Sequence, residues 1–208
     1  MIKYLAKFVS KKSYADDLLN GKLYMNTPCY YRHLDNGQGD LREATLFMDC
    51  CVYQNYLIPI YCMYMICDKE IQNGQHIIST RCISDFKCEN GYIVLFDFID
   101  FTSRLYTVNT YGYELNASPV TYCIPTPKES IEMLKKDPYQ NIKIKNPYFS
   151  YQKEFRIIIG KKTSSNDNDF ENPKSAEYWF KEPLIDIGKS IEISSLSRLG
   201  NDYILDNL

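Results

Sequence analysis

The chain predicts an α+β fold that is strand-rich and mostly antiparallel, with a twisted or split sheet, three to four short helices and a single domain over residues 1–208. Three features carry that expectation. The first is the stretch YQKEFRIIIG at 151–160, where Phe155, Ile157, Ile158 and Ile159 make a β-branched apolar run closed by a glycine, the pattern of a strand with a buried face. The second is an opening strand–helix–strand pattern completed before Thr27. The third is a count of 19 tyrosines, because tyrosine suits half-buried sheet faces. A composition of 45% hydrophobic and 24% charged residues is that of a globular chain able to bury one substantial core.

Taken in order, residues 2–8 alternate apolar and polar, a first strand with Lys3 and Lys7 on one face and Tyr4 and Phe8 on the other. Ser10 is placed to cap a helix over 11–20, whose stripe is Tyr14, Ala15, Leu18 and Leu19 and whose stop is Gly21. Residues 22–26 make a second strand. Residues 27–43 read as a loop: Pro28, Gly37 and Gly39 break it, and Tyr30, Tyr31, Arg32, His33, Asp35, Asp40, Arg42 and Glu43 crowd it with side chains that bind or titrate. The near-continuous apolar run 46–65 is broken by Pro59, so a buried strand is expected over 60–67. Asn73-Gly74 and Asn90-Gly91 mark turns. Between and after them, 75–82 and 92–96 read as strands, and Asp97 caps a short helix bearing Phe98, Phe101 and Leu105.

Residues 105–111 and 119–124 are predicted as two further strands around Gly112. Thr126-Pro127-Lys128-Glu129 combines a threonine cap, a proline at the first helical position and a glutamate three residues after the cap, so a helix runs from there to about Lys136. After Gly160 a polar run reads as a loop, strands at 178–180, 184–187 and 190–193 finish the sheet, and the last dozen residues form a surface tail or short cap.

A formal net charge of −2 carries no overall basic signature for nucleic acid or an acidic membrane surface. No uncharged run approaches the roughly 18–20 residues of a membrane span, and the N-terminus lacks the pattern of a secretory signal. The eight cysteines contain no CxxC pair, with only His33 and His76 to join them, so they read as reduced thiols in a cytoplasmic protein and no metal is expected. The Asp40–Glu43 cluster has too few carboxylates at coordinating spacing to change that.

The residues that carry chemistry gather at Gln152, Glu154 and Arg156. On one continuous strand these alternate positions share a face opposite Phe155 and Ile157. Two readings fit a carboxylate between an amide and a guanidinium: a working cleft, or a carboxylate tied to Arg156 or a neighbouring lysine. Gln-x-Glu on a C-terminal strand resembles the catalytic edge of mono-ADP-ribosyltransferases. The stretch Ala15, Leu18, Leu19, Gly21 is similar to the helix after that superfamily's first strand, and Ser79-Thr80-Arg81 is similar to its Ser-Thr-Ser element, departing at Arg81. Lys7 is the nearest match to the first-strand Arg or His of that family. The chain also resembles bacterial and phage proteins of its size.

The resemblance implies NAD as a substrate and cleavage of its nicotinamide–ribose bond through an oxocarbenium-like state. Glu154 would stabilise that charge from beside the ribose 2′-hydroxyl, and Gln152 would orient the acceptor. Arg32 or Arg81 would hold the pyrophosphate, and Tyr30 or Tyr31 would stack on a ring. Lys7, His33 and Ser79 complete the NAD-binding set so implied. The acceptor is a protein or a nucleic acid, with a toxin or phage-defence role. The other class is a non-catalytic module that binds a nucleotide signal or a protein partner in phage defence or counter-defence, its pocket or interface built from the tyrosine-rich faces and the 30–43 loop.

Overall fold

The structure, a computed structural model, describes residues 1–32, 34, 57–160 and 175–208. In chain order it contains β1 (Ile2–Val9), α1 (Lys12–Leu19), β2 (Lys22–Met25), α2 (Pro28–Arg32), β3 (Ile60–Cys67), β4 (His76–Ile78), α3 (Thr80–Asp85), β5 (Tyr92–Asp97), α4 (Phe98–Leu105), β6 (Leu115–Pro119), β7 (Thr121–Tyr122), α5 (Pro127–Lys136), β8 (Ile144–Lys145), β9 (Glu154–Ile159), β10 (Ala176–Trp179), β11 (Gly188–Glu192), β12 (Ser197–Leu199) and β13 (Asp202–Leu205). This is an α+β fold with mostly antiparallel pairing. It divides into two compact units: unit 1 takes in Met1–Leu23, Met63–Asn109 and Tyr178–Leu208, and unit 2 takes in Tyr24–Cys62 and Thr110–Glu177.

In unit 1 the strands run in the order β11-β5-β1-β3, all antiparallel. Leu5 and Ala6 of β1 lie opposite Phe96 and Leu95 of β5, and all four are buried. Helix α1 turns Ala15, Leu18 and Leu19 inward, while Tyr14, the fourth residue of the expected stripe, is exposed. Helix α4 buries Phe101 and Leu105, and the Phe101 ring stands 5.0 Å from Phe96 and 5.7 Å from Phe180. Gly188 opens β11 because a β-carbon there would meet Phe96 Cε1 at 2.2 Å. A smaller sheet, β12-β13-β4, buries Tyr203 and Leu205.

In unit 2 β6 and β9 pair antiparallel, Ala117 opposite Ile157, and β7 runs parallel to β8. Every residue of β9 is buried, which explains a near-continuous apolar run with no clean alternation. Cys29, Ile58, Ile60, Ile142 and Ile158 form its apolar cluster, with Tyr31, Cys62 and Tyr139 packed against it. Thr126 and Glu129 close the capping box of α5 as its sequence pattern requires.

The differences from expectation are local. Ser10 does not cap α1: Lys11 is the cap residue and makes no side-chain cap bond. Residues 28–32 are helical where a loop was predicted, and of the strand predicted over 75–82 only β4 is strand, residues from Thr80 belonging to α3. Residues 105–111 and 184–187 hold no strand. The strand predicted over 119–124 is divided between β6 and β7, with Val120 between them donating to Glu154 O at 2.8 Å. The final dozen residues, expected as a surface tail or short cap, hold a hairpin of β12 and β13 paired with β4. The predicted loop at 33–43 and the polar run after Gly160 fall, apart from Leu34 and the residues from 175, outside the described residues.

Candidate functional site

The site grows from the start of β9. Gln152 does not lie on that strand. It ends a 3₁₀ helix over Pro147–Gln152, and Lys153 follows in the left-handed region at φ 42°. The face shared by strand alternation therefore holds only Glu154 and Arg156, and Gln152 arrives by a turn. The neighbouring lysine that the second reading left without a number joins them. Lys145 of β8 donates from Nζ to Gln152 Oε1 at 2.8 Å and to Glu154 Oε1 at 2.5 Å. Arg156 closes the other side, donating from Nε and Nη2 to Glu154 Oε2 at 2.9 and 2.8 Å and from Nη1 to Ile142 O at 2.5 Å.

All four side chains are buried, Arg156 and Gln152 at 1% exposure. The Glu154 amide donates to Tyr122 Oη at 2.8 Å, and the Lys145 ammonium sits 4.9 Å from the Phe149 ring centre. Burial pushes the Glu154 carboxyl up, but the Arg156 and Lys145 charges and their hydrogen bonds outweigh it and hold it at about 2. Burial also pushes the Tyr31 and Tyr122 phenols up. The Glu154 charge adds to both shifts, and Cys62 contributes likewise. A carboxylate, an ammonium, a guanidinium, an amide and two phenols thus converge from α2, β7, β8, β9 and the 3₁₀ helix before β9.

Replacing a buried ion cluster of this kind with well-packed apolar residues is often neutral or stabilising, so stability alone is a weak reason to keep it. Strongly shifted titratable groups in one place mark a functional-site candidate. Here, however, both carboxylate oxygens already take charged donors.

Of the other predicted residues, Tyr31 belongs to this cluster, and its ring meets that of Tyr30 edge to face at 5.5 Å. Arg32 ends α2, and its charge draws the Cys29 thiol down against the upward push of burial. His33 lies outside the described residues, as do Asp40, Arg42 and Glu43. Lys7, Ser79 and Arg81 belong to unit 1. Lys7 is in β1 opposite Val94, Ser79 caps α3 by accepting from the Cys82 amide at 3.3 Å, and Arg81 faces Asp85 at 3.8 Å one helical turn on.

Among the described residues no three His, Cys, Asp or Glu side chains gather as a metal site, and no helix is long and apolar enough to cross a membrane. The described cysteines are free thiols. Lys145 had one signal in the sequence, a basic stretch at 141–147 leading into β9, but its partner lies nine residues on and across a turn. No protein-family model, curated protein or solved structure matches the chain.

Proposed function

We propose that this protein is a cytoplasmic binding module for a nucleotide-class ligand, read out by a protein partner, and that it does not turn the ligand over. The observation that carries this reading is the neutralisation of Glu154. A carboxylate that is to stabilise an oxocarbenium ion must offer its charge to the substrate, and this one is held between Lys145 and Arg156 at 2.5 and 2.8 Å. Aromatic surface in the same unit suits a base or nicotinamide ring: Tyr30 and Tyr148 are exposed, each braced edge to face by its neighbour, Tyr31 and Phe149. Free thiols fit a reducing compartment.

One observation favours the second reading, an NAD-using ADP-ribosyltransferase-like enzyme acting on a protein or nucleic acid, in a toxin or phage-defence setting. Gln152 and Glu154, the pair that carries the family resemblance, do meet in one cluster, with the acid held ionised. A carboxylate has about four acceptor positions, so a ribose hydroxyl can still be accommodated beside the two cations.

A thermal-shift series over NAD, ADP-ribose and cyclic nucleotides, run beside a nicotinamide-release assay, separates the two. Binding without turnover is expected, with a ligand at 100 times its dissociation constant adding about 2.7 kcal/mol of stability. Nicotinamide release by the wild type that is lost in Glu154→Gln overturns the binding reading in favour of the enzyme. No shift with any nucleotide removes both.

A further inference from the structure

The turns supply a modification site. Asparagine followed by glycine is the pair most prone to lose its amide: the glycine nitrogen attacks the asparagine side-chain carbonyl, a C–N bond forms, ammonia leaves, and water opens the cyclic imide to aspartate or isoaspartate. Three such pairs lie in the described residues, Asn20-Gly21, Asn73-Gly74 and Asn90-Gly91, and all three asparagines are exposed. What differs is the attacking nitrogen. The Gly21 amide donates to Leu18 O at 2.9 Å and the Gly91 amide to Cys88 O at 2.8 Å. A nitrogen whose hydrogen is so engaged is held away from its neighbour's side chain.

Among the described residues the Gly74 amide has no backbone acceptor. The turn is closed by Gln72 and Gln75, each donating to the other's carbonyl at 2.9 Å, and this is an isolated bridge with no ladder behind it. Asn73 and Gly74 form the tip, at φ 52° and 74°. The two bonds between Gln72 and Gln75 lie at the surface, both residues being exposed.

We propose that Asn73 is a spontaneous deamidation site, and that its isoaspartate product loosens the C-terminal strand from β4. Isoaspartate adds one methylene to the main chain immediately before Gly74. The Gly74 carbonyl accepts from the Leu208 amide at 3.0 Å, and Gln75 Nε2 donates to Asp206 Oδ1 at 2.7 Å, so displacement of the tip pulls on the end of β13.

The test is incubation of the full chain in mildly alkaline buffer at physiological temperature, followed by peptide mapping for the exchange of the amide NH2 for OH and for the isomer in which the side-chain methylene has moved into the main chain. Asn73 is expected to convert about fivefold faster than Asn20 or Asn90, the factor set by one ordinary neutral hydrogen bond. Hydrogen exchange of the aged chain is expected to be faster at residues 203–208 than in the fresh chain, and unchanged by incubation in Asn73→Gln. Conversion at Asn73 no faster than at Asn20 and Asn90 overturns the site. Conversion with unaltered exchange at 203–208 overturns the consequence. Peptide mapping of the wild type decides the first point even if the variant fails to fold.

Discussion

Glu154 joins the buried charges of unit 2. Its carboxylate compensates two buried cations, so removing it while they stay is worse than removing all three. Glu154→Ala is expected to cost about 3–5 kcal/mol, the usual cost of breaking one side of a buried pair, while the triple replacement Lys145→Met, Glu154→Leu, Arg156→Met is expected to cost less than the single change. Denaturant melts of both variants decide it, and a triple variant less stable than Glu154→Ala refutes the view that the cluster is weak as a stabiliser. Acid supplies a second measurement. The folded carboxyl sits at about 2 against an ordinary 4.5, so its contribution is complete above about 4.5 and is lost as pH falls toward 2. Wild-type stability is expected to fall more steeply across that window than that of the triple variant, which lacks the group, and equal slopes would contradict the depressed value. The ion partners of Glu154 were half legible. Arg156, two residues on, shows in the pattern of β9, whereas Lys145 is brought in by β8 and no spacing rule reaches it.

Elements whose cause is local could be read from the chain, and those whose cause is remote could not. Helix α5 was legible because the threonine cap, proline and glutamate are all within its first turn. Ser79-Thr80-Arg81 was read as strand from its β-branched neighbours, but Asp202, a residue of β13, accepts from the Thr80 amide at 2.8 Å and helps start α3. The break before β9 belongs with the remote causes. Lys153 at φ 42° turns the chain so that Gln152 and Glu154 both reach Lys145, and a left-handed residue that is not glycine leaves no mark in the sequence. Substituting Lys153→Gly and Lys153→Val removes the same side-chain head, so their difference isolates the backbone. Valine is expected to be less stable than glycine by about 1–2 kcal/mol, the left-handed penalty of a side chain with a branched β-carbon. Thermal melts of the pair measure it, and equal stability would mean that the left-handed turn is absent in solution.

At the scale of the whole chain, each unit is assembled from segments far apart in sequence, and the C-terminal residues show most clearly what that hides from a reading of the chain. The terminal residues 197–208 look dispensable in isolation: they are short, polar at intervals and far from any apolar run. Their role is defined by β4, more than a hundred residues earlier, against which Tyr203 lies opposite Ile78 and Leu205 opposite His76. Tyr203 is 3% exposed and Leu205 fully buried, so both belong to the core of unit 1. Burial of side chains of this size stabilises by about 1.5–3 kcal/mol each. A stop after Leu196 removes both, uncovers Ile78 and deprives the Thr80 amide of its acceptor on Asp202. The truncated chain is therefore expected to lose several kcal/mol, a large fraction of the stability of an ordinary domain. Amide exchange is expected to be faster first in β4 and then in β3, where the Tyr64 hydroxyl is 3.2 Å from the buried His76 ring and loses its support when β4 is released. A truncated chain with wild-type protection at residues 76–78 would show that the terminal hairpin is carried by the fold without holding it, and that the surface-tail reading of the sequence was the better one.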